Sequence, residues 1–306
     1  MDKNILVTGG AGFIGSHTVD LLISKGYKVT VLDNLSTGKK QNINWKAKFV
    51  HGDILNVDKG LSRFRNIDAI VHCAAQISVT HSVKHPINDA NTNILGSLKL
   101  LEMCRKLNIK KFVFASSCAV YGLNPPLPAD ENLTNPENPY AASKRSAEMY
   151  MDVYQETYGI DCISLRYANV YGPRQNYLGE AGVVTVFINQ LLRNKSLTIF
   201  GDGKQTRDFV YVGDVAAANL KALIRNTKSK AFNIGTGTQT TINQLFFNLK
   251  KLTEKENIKP FYEKERQGEV RLSSLDIGLA RKELGWKPEV RLGDGLKKTV
   301  EWFGNQ

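Results

Sequence analysis

The sequence predicts an α/β protein, a doubly wound parallel sheet joined to a second, smaller α/β lobe. Two observations carry this reading. Short apolar runs alternate with longer amphipathic stretches through the first half of the 306 residues, and the alternation lapses after about Gly172. A glycine-rich turn also falls directly between the first apolar run and the first amphipathic stretch.

Ile5–Thr8 is a short apolar run ending in glycines, the pattern of a strand and its turn. Ile14–Ser24 then takes up helical periodicity. Lys28–Asp33, Lys48–Val50, Ala69–Cys73, Phe112–Ser116 and Ile163–Tyr167 repeat the strand pattern. Thr92–Leu107 and Ala141–Tyr158 are the long helices between the later ones. Right-handed crossovers place the loops after these strands on one sheet edge, where ligands sit. Beyond Gly172, Val183–Arg193 reads as a helix without a strand on each side. Asp208–Val212 and Ala231–Ile234 read as late strands returning to the main sheet. The expected division is a first domain over 1–172, with strands returning from about 208–235, and a second lobe over 173–306.

Composition narrows the classes. Hydrophobic residues make up 42% and charged residues 23%, the balance of a globular chain with a sizeable core. No stretch approaches the eighteen apolar residues of a bilayer span, so no membrane partner is expected. Met1 to Asn4 runs straight into Ile5–Val7 and its glycines, which reads as strand and turn rather than a secretion signal. Four cysteines (Cys73, Cys104, Cys118, Cys162) lack CxxC spacing or histidines at zinc-ligand spacing. Reduced thiols of a cytoplasmic protein are expected, with no metal site. The net charge of +12 is scattered in pairs such as Lys39-Lys40 and Lys297-Lys298, without a basic helix. A lysine-rich solvated surface is the better reading than nucleic-acid binding.

Gly9-Gly10-Ala11-Gly12-Phe13-Ile14-Gly15 follows the first strand and opens the first helix. In that context Gly9 permits a sharp turn, Gly12 lets the backbone approach a pyrophosphate, and Gly15 lets helix and strand pack closely. The N–H groups of the helix start and its dipole hold the phosphates. Asp33 ends the second strand, where its carboxylate accepts from an adenosine ribose diol and repels a 2′-phosphate. No arginine lies in Asn34–Gly38 to offset it, so NAD is expected over NADP. Asp53-Ile54, after the third strand, flanks the adenine. The fold is therefore of Rossmann type.

Tyr140-Ala141-Ala142-Ser143-Lys144 opens a helical stretch just after Pro139, so Tyr140 and Lys144 share one helix face. A protonated lysine beside a phenol favours the phenolate, which is then a general base. Ser117 follows the apolar strand at the same ligand-bearing edge, and its hydroxyl is placed to bond the reacting oxygen with Tyr140.

With these motifs in place, the chain resembles the extended short-chain dehydrogenases/reductases, in the NAD-dependent sugar-nucleotide epimerase/dehydratase branch that includes the UDP-glucose 4-epimerases. The resemblance runs over essentially the whole chain. It is carried by Thr8–Gly15, His72–Ala75, Ser116–Gly122, Tyr140–Lys144, Leu165–Arg174, Gly201–Val215 and Arg266–Asp276. It implies cofactor contacts from Phe13, Ile14, Asp33, Asn34, Leu35, Ser36, Thr37, Gly38, Asp53, Ile54, Cys73, Ala74, Ala75, Gln76, Ile77 and Thr92. It implies contacts to a UDP-sugar from Asn169, Thr198, Phe200, Arg207 and Arg266, alongside Ser117 and Tyr140. Two arginines suit a diphosphate, and Phe200 suits a base. The plain alternatives are a local ion pair of Arg207 with Asp208 and a solvated Arg266. Departures from the family pattern fall at Ile77, where many 4-epimerases have lysine, and at Thr92 and Ala168. The family's position seven residues after the Arg266-type arginine is Ser273, a small residue that leaves room for an N-acetyl group.

The same resemblance bears on the reaction. Dehydratases of the branch place an Asp-Glu pair directly after the catalytic hydroxyl, and decarboxylases usually have Thr with a nearby Glu. Here Cys118 and Ala119 follow Ser117. Oxidation and re-reduction at C4 remain, which is 4-epimerisation. A dehydratase, decarboxylase or net reductase of the same fold, and a non-catalytic NAD-binding regulator, stay open. The resemblance further implies a homodimer through the helices at Thr92–Leu107 and Ala141–Tyr158. Leu95, Leu98, Leu101, Met103, Met149, Met151, Val153 and Tyr154 put apolar residues on more than one of their faces.

Overall fold

The computed structural model describes residues 3–176, 182–266 and 268–306. β1 (Asn4–Thr8), α1 (Phe13–Ser24), β2 (Lys28–Asp33) and β3 (Lys48–His51) open the chain. Short helical turns over Ile54–Phe64 lead to β4 (Ala69–His72), then α2 (Val79–Lys84) and α3 (Pro86–Ala90). One π-helical turn, Asn91–Leu95, runs into α4 (Gly96–Leu107), β5 (Lys111–Ser117), α5 (Pro139–Tyr158) and β6 (Asp161–Tyr167). The later elements are β7 (Asn169–Tyr171), α6 (Val183–Leu192), β8 (Thr198–Phe200), β9 (Thr206–Arg207), β10 (Phe209–Tyr211) and α7 (Val212–Ile224). They are followed by β11 (Ala231–Ile234), β12 (Thr240–Thr241), α8 (Ile242–Leu252), β13 (Phe261–Glu263) and α9 (Leu292–Gly304).

Seven strands form one sheet in the order β3-β2-β1-β4-β5-β6-β11, parallel at every pairing. The strands are apolar on both faces because helices cover both. On one face Val7, Val71, Val113 and Phe232 pack with Val19 and Leu22 of α1 and Val215 of α7. On the other, Leu6, Ile70, Phe112 and Phe114 pack with Leu100 and Leu101 of α4 and Met151 of α5. A third cluster, with Phe187, Ile188, Leu245, Phe246 and Leu296, is the core of the second lobe. The strand order reverses between β1 and β4, whose ends pair at Thr8 and His72. Such a reversal is the switch point at which sheets of this kind form a ligand-binding crevice.

Two expectations are corrected. Asp208–Val212 does not return to the main sheet: β10 pairs in parallel with β7, Phe209 opposite Asn169. The free edge of β6 is taken by β11, with Phe232 opposite Leu165, so only Ala231–Ile234 returns. The helix read from Thr92 begins instead as the π turn and becomes α-helical at Gly96. Of the apolar residues read along the two long helices, Leu101, Met103, Met151 and Tyr154 are buried in the chain's own core, and Leu98 packs beside them. Leu95, Met149 and Val153 remain exposed.

Candidate active site

The glycine turn crosses the mouth of the crevice. Gly9 takes the left-handed conformation at φ 67°, and a Cβ there would lie 2.7 Å from the Ala74 nitrogen. A Cβ on Gly15 would lie 2.1 Å from the Gly9 oxygen, so only glycine lets α1 start this close to β1. Gly12 is the N-cap of α1 and carries no side chain to cap it. The first-turn N–H groups therefore lack a side-chain acceptor and suit an anion. Asp33, 7% exposed, accepts from Ala11 N at 2.9 Å and Leu35 N at 2.8 Å. It joins the glycine turn to the loop Asn34–Gly38, where Asn34, Ser36 and Thr37 are exposed. Asn34 Nδ2 donates to Asp53 at 2.8 Å, and the other Asp53 oxygen accepts from Leu55 N. A cleft lined by Leu32, Val50, Gly52, Asp53 and Val57 continues from there, with Ile54 buried beneath. Phe13 and Ile14, half-buried, open α1 at the turn. A crowded, uncapped glycine turn, a carboxylate at the next strand end and a half-apolar cleft beyond it fit a dinucleotide.

Across the crevice, the segment after β4 is fixed by a residue the sequence reading passed over. Asn93 Oδ1 accepts from Gln76 N at 2.9 Å, and its Nδ2 donates to Gln76 O at 2.9 Å and to Ser143 Oγ at 3.1 Å. Gln76 Nε2 reaches Asp89 at 2.7 Å, and Ala74 N reaches Thr8 Oγ1 at 3.3 Å. Thr92 is half-buried next to this anchor, and Ile77 is exposed. The spacing of Asp89 and Asn93 on one helical face was the available signal.

Tyr140 sits in the first turn of α5. The turn starts there because Asn138 caps the helix, accepting from Ala141 N at 2.9 Å, and Pro139 takes the first position, where no N–H is needed. Ser117, which ends β5 and whose Oγ accepts from Ala119 N at 3.2 Å, lies near enough to the Tyr140 phenol to draw its pKa down. Lys144, 3% exposed, donates from Nζ to Ala115 O at 3.0 Å and lies 4.7 Å over the Phe114 ring and 5.9 Å from the Tyr140 ring. Burial pulls its pKa down to about 8, with Cys73, Asp89 and Glu148 acting the other way. The phenol departs from expectation. Burial pushes Tyr140 up to about 12, opposed by the nearby Ser117 hydroxyl. Desolvation of the phenolate decides the direction.

The second lobe faces this edge. Arg266 stacks 3.7 Å over the Phe200 ring, so it is not merely solvated. Arg207 pairs with Glu269 at 2.8 Å and donates to Val270 O at 2.6 Å. The plain alternative, a pairing with Asp208, is not what Arg207 makes: Asp208 accepts instead from Thr236, Gly237 and Leu275. Ser273 N donates to Thr206 Oγ1 at 3.1 Å, which places half-buried Ser273 beside Arg207's strand. Thr198 and Phe200 lie on β8 against β13, and Asn169 opens β7. Burial pushes the Cys118 thiol up to about 11, with the Asp208 charge adding to the rise and Arg207 opposing it, so these two charged groups lie within electrostatic range of the residue after Ser117. Among the described residues no cluster of His, Cys, Asp or Glu suits a metal ion. No helix of the described residues is long and apolar enough to cross a membrane.

The sequence profile of the NAD dependent epimerase/dehydratase family matches residues 5–235. The chain belongs to that family. NAD is the cofactor of the family, as read from Asp33. The chain is 52% identical over 306 residues to a provisionally named UDP-glucose 4-epimerase of Methanocaldococcus jannaschii, covering 98% of each. The structure of UDP-glucose 4-epimerase from Thermotoga maritima with UDP-glucose is similar at a TM-score of 0.95 and 48% identity, covering 99% of both chains. UDP-N-acetylglucosamine 4-epimerase from Methanobrevibacter ruminantium, solved with UDP-N-acetylmuramic acid, is similar at 0.94 and 40%, covering 99% of this chain and 98% of that one. The chain is thus a member of this family similar to 4-epimerases acting on UDP-sugars.

Proposed function

We propose that the protein interconverts UDP-hexoses epimeric at C4, through a 4-keto intermediate, with NAD held throughout. The observation that carries this is the buried Lys144 ammonium 5.9 Å from the Tyr140 ring, with Ser117 at the end of β5 beside the phenol and Cys118 and Ala119 after the serine. No carboxylate stands there to eliminate water, so the chemistry left is removal and return of hydride. Gly9, Gly12 and Gly15 let α1 present its N–H groups to the pyrophosphate, and Asp33 receives the adenosine ribose. Bound NAD would supply the acceptance and return of the hydride, and its positive charge would favour the phenolate of Tyr140. Tyr140 takes the 4′-hydroxyl proton, and Ser117 steers it. Lys144 stays protonated near neutral pH and holds the ribose beside Tyr140. Arg207 and Arg266 pair with the diphosphate, and Phe200 packs on the base. The 4-keto sugar turns about that anchor to present its other face.

Ser273 is small and half-buried beside Arg207's strand, which supports a pocket that admits N-acetylated UDP-hexoses beside the plain ones. Exposed Leu95, Met149, Tyr150 and Val153 on the helices of one sheet face support a homodimer through those helices. The division near residue 172 and a cytoplasmic location, the four cysteines being free, belong to the same reading. The test is incubation with UDP-glucose and with UDP-N-acetylglucosamine, resolving the products. Formation of both 4-epimers is expected. Wild type that fails on UDP-N-acetylglucosamine, or a Ser273→Tyr variant fully active on it, ends the roomy-pocket assignment.

A further inference from the structure

Glu148 lies four residues beyond Lys144 and eight beyond Tyr140, on the same face of α5. It is 2% exposed, and four donors converge on its carboxylate. Ser116 Oγ donates to it at 2.6 Å, Arg166 Nε at 3.0 Å and a second Arg166 nitrogen at 2.8 Å, with Arg145 at 3.1 Å. Ser116 is the chain neighbour of Ser117. One carboxylate therefore fastens the helix that carries Tyr140 and Lys144 to the strand end that carries Ser117.

The same network reaches the second lobe. Arg166 also donates to Tyr121 Oη at 3.2 Å and to Glu131 O at 2.8 Å. Tyr121 donates to Asn233 on β11, and Asn233 Nδ2 donates to Ala129 O and Asp276 O, each at 2.9 Å. Ala129 N donates to Ser274 O, next to Ser273. These are buried, satisfied groups in a low-dielectric interior, where a removed partner is costly and the remaining geometry has few alternatives.

We propose that Glu148, through Ser116 and Arg166, is a positioning residue that sets the separation of Tyr140 from Ser117 and couples it to the wall of the sugar pocket. The inference rests on the 4-epimerase reading. Glu148 touches neither reacting atom. Its effect belongs to the alignment of the proton transfer, so it acts on kcat far more than on KM. It also acts through charge: Lys144 is faced by Glu148 from its own helix, by Asp89 from α3, by Cys73 and His72 from the end of β4, and by Tyr140. Loss of the Glu148 charge lowers the pH at which Lys144 gives up its proton.

The experiment compares wild type with Ser116→Ala, Glu148→Asp and Glu148→Gln, using UDP-glucose and UDP-N-acetylglucosamine. Ser116→Ala leaves the ion pair intact and is the variant least at risk of misfolding. It is expected to lower kcat roughly tenfold with KM within about twofold, in line with the cost of a small misalignment. Glu148→Gln is expected to lower kcat roughly a hundredfold and to move the alkaline limb of its pH profile to lower pH. Glu148→Asp, which keeps the charge, should hold that limb in place. Wild-type kcat and pH limb in Ser116→Ala and Glu148→Gln overturn the proposal while leaving the epimerase reading intact. A loss that falls equally on KM and kcat, with the limb unmoved, also overturns it. Wild type inactive on both sugars ends the epimerase reading and this inference with it.

Discussion

Gly12 and Gly15 stand three residues apart in one turn, yet the structure separates their roles. A Cβ on Gly15 would lie 2.1 Å from the Gly9 oxygen and 2.8 Å from the Gly9 carbonyl carbon. Ordinary carbon contacts are about 3.5 Å or more. Gly15→Ala must therefore push α1 off the glycine turn by more than an ångström, an overpacking that costs about 1–3 kcal/mol. With about 2.1 cal/mol/K of unfolding entropy per residue, that lowers the Tm of this 306-residue chain by roughly 2–5 °C, bound ligand or not. Gly12 is different. Its φ is an ordinary −79°, and an added Cβ would meet only the Gly9 oxygen, at 3.1 Å. Gly12→Ala should cost the bare fold at most about 1 kcal/mol, the scale of an N-cap change. It places a methyl where the pyrophosphate must approach. The assay is thermal unfolding of nucleotide-stripped protein, alone and with NAD. Wild type at a hundredfold excess over Kd gains about 2.7 kcal/mol. Gly15→Ala is expected to start lower, and Gly12→Ala to start within about 2 °C of wild type but lose most of the NAD-induced gain. A Gly12→Ala protein with the full NAD shift refutes the pyrophosphate assignment. A Gly15→Ala protein with the wild-type Tm refutes the packing argument.

The other predictions are shorter. Asp33→Ala should lower NAD retention through purification and keep the fold, and NADP(H) as the main nucleotide released from wild type would overturn the Asp33 assignment. Tyr140→Phe should lower turnover roughly 10²–10⁴-fold, the range of a lost general base, without unfolding the chain. Burial holds the Tyr140 phenol up to about 12, so a bound positive charge must bring it down. Adding NAD⁺ to stripped protein should move one tyrosine titration to lower pH, a change missing from Tyr140→Phe. Light scattering at micromolar concentration should give twice the chain mass, and a monomeric mass removes the helix-face dimer.

The sheet and the cofactor turn were legible because their signals are local. Ile5–Thr8, the glycines and Asp33 lie within one stretch, and each residue type answers to a backbone need that the structure shows at Gly9 and Gly15. Tyr140, Lys144 and Ser117 were legible as a pattern, and the structure sets the Lys144 ammonium 5.9 Å from the Tyr140 ring with Ser117 near the phenol. What sequence alone missed depends on competition between distant segments. Asp208–Val212 looks like any other strand, and only the claim of β11 on the edge of β6 sends it to β7 instead. The tyrosine pKa failed for a related reason. Residue identity shows the nearby lysine but not how dry the phenol is, and dryness wins. Glu148 and Arg166 showed no role of their own in the sequence, and Asn93 only its spacing from Asp89, since their importance lies in what surrounds them once buried.

The cap on α5 has a consequence for how the chain tolerates insertions. Asn138 and Pro139 fix the first residue of the helix, and Tyr140 follows at once. Each residue of an α-helix turns its side chain by about 100°, so one residue gained between Asn138 and Lys144 swings the lysine or the tyrosine away from Ser117. Upstream of the cap the rule is reversed. The stretch 123–137 contains no helix or strand of its own and is pinned to the rest of the fold at Ala129 and Glu131. Length variation there that spares those two points should be absorbed without moving the phenol, whereas the five residues from Tyr140 to Lys144 admit none.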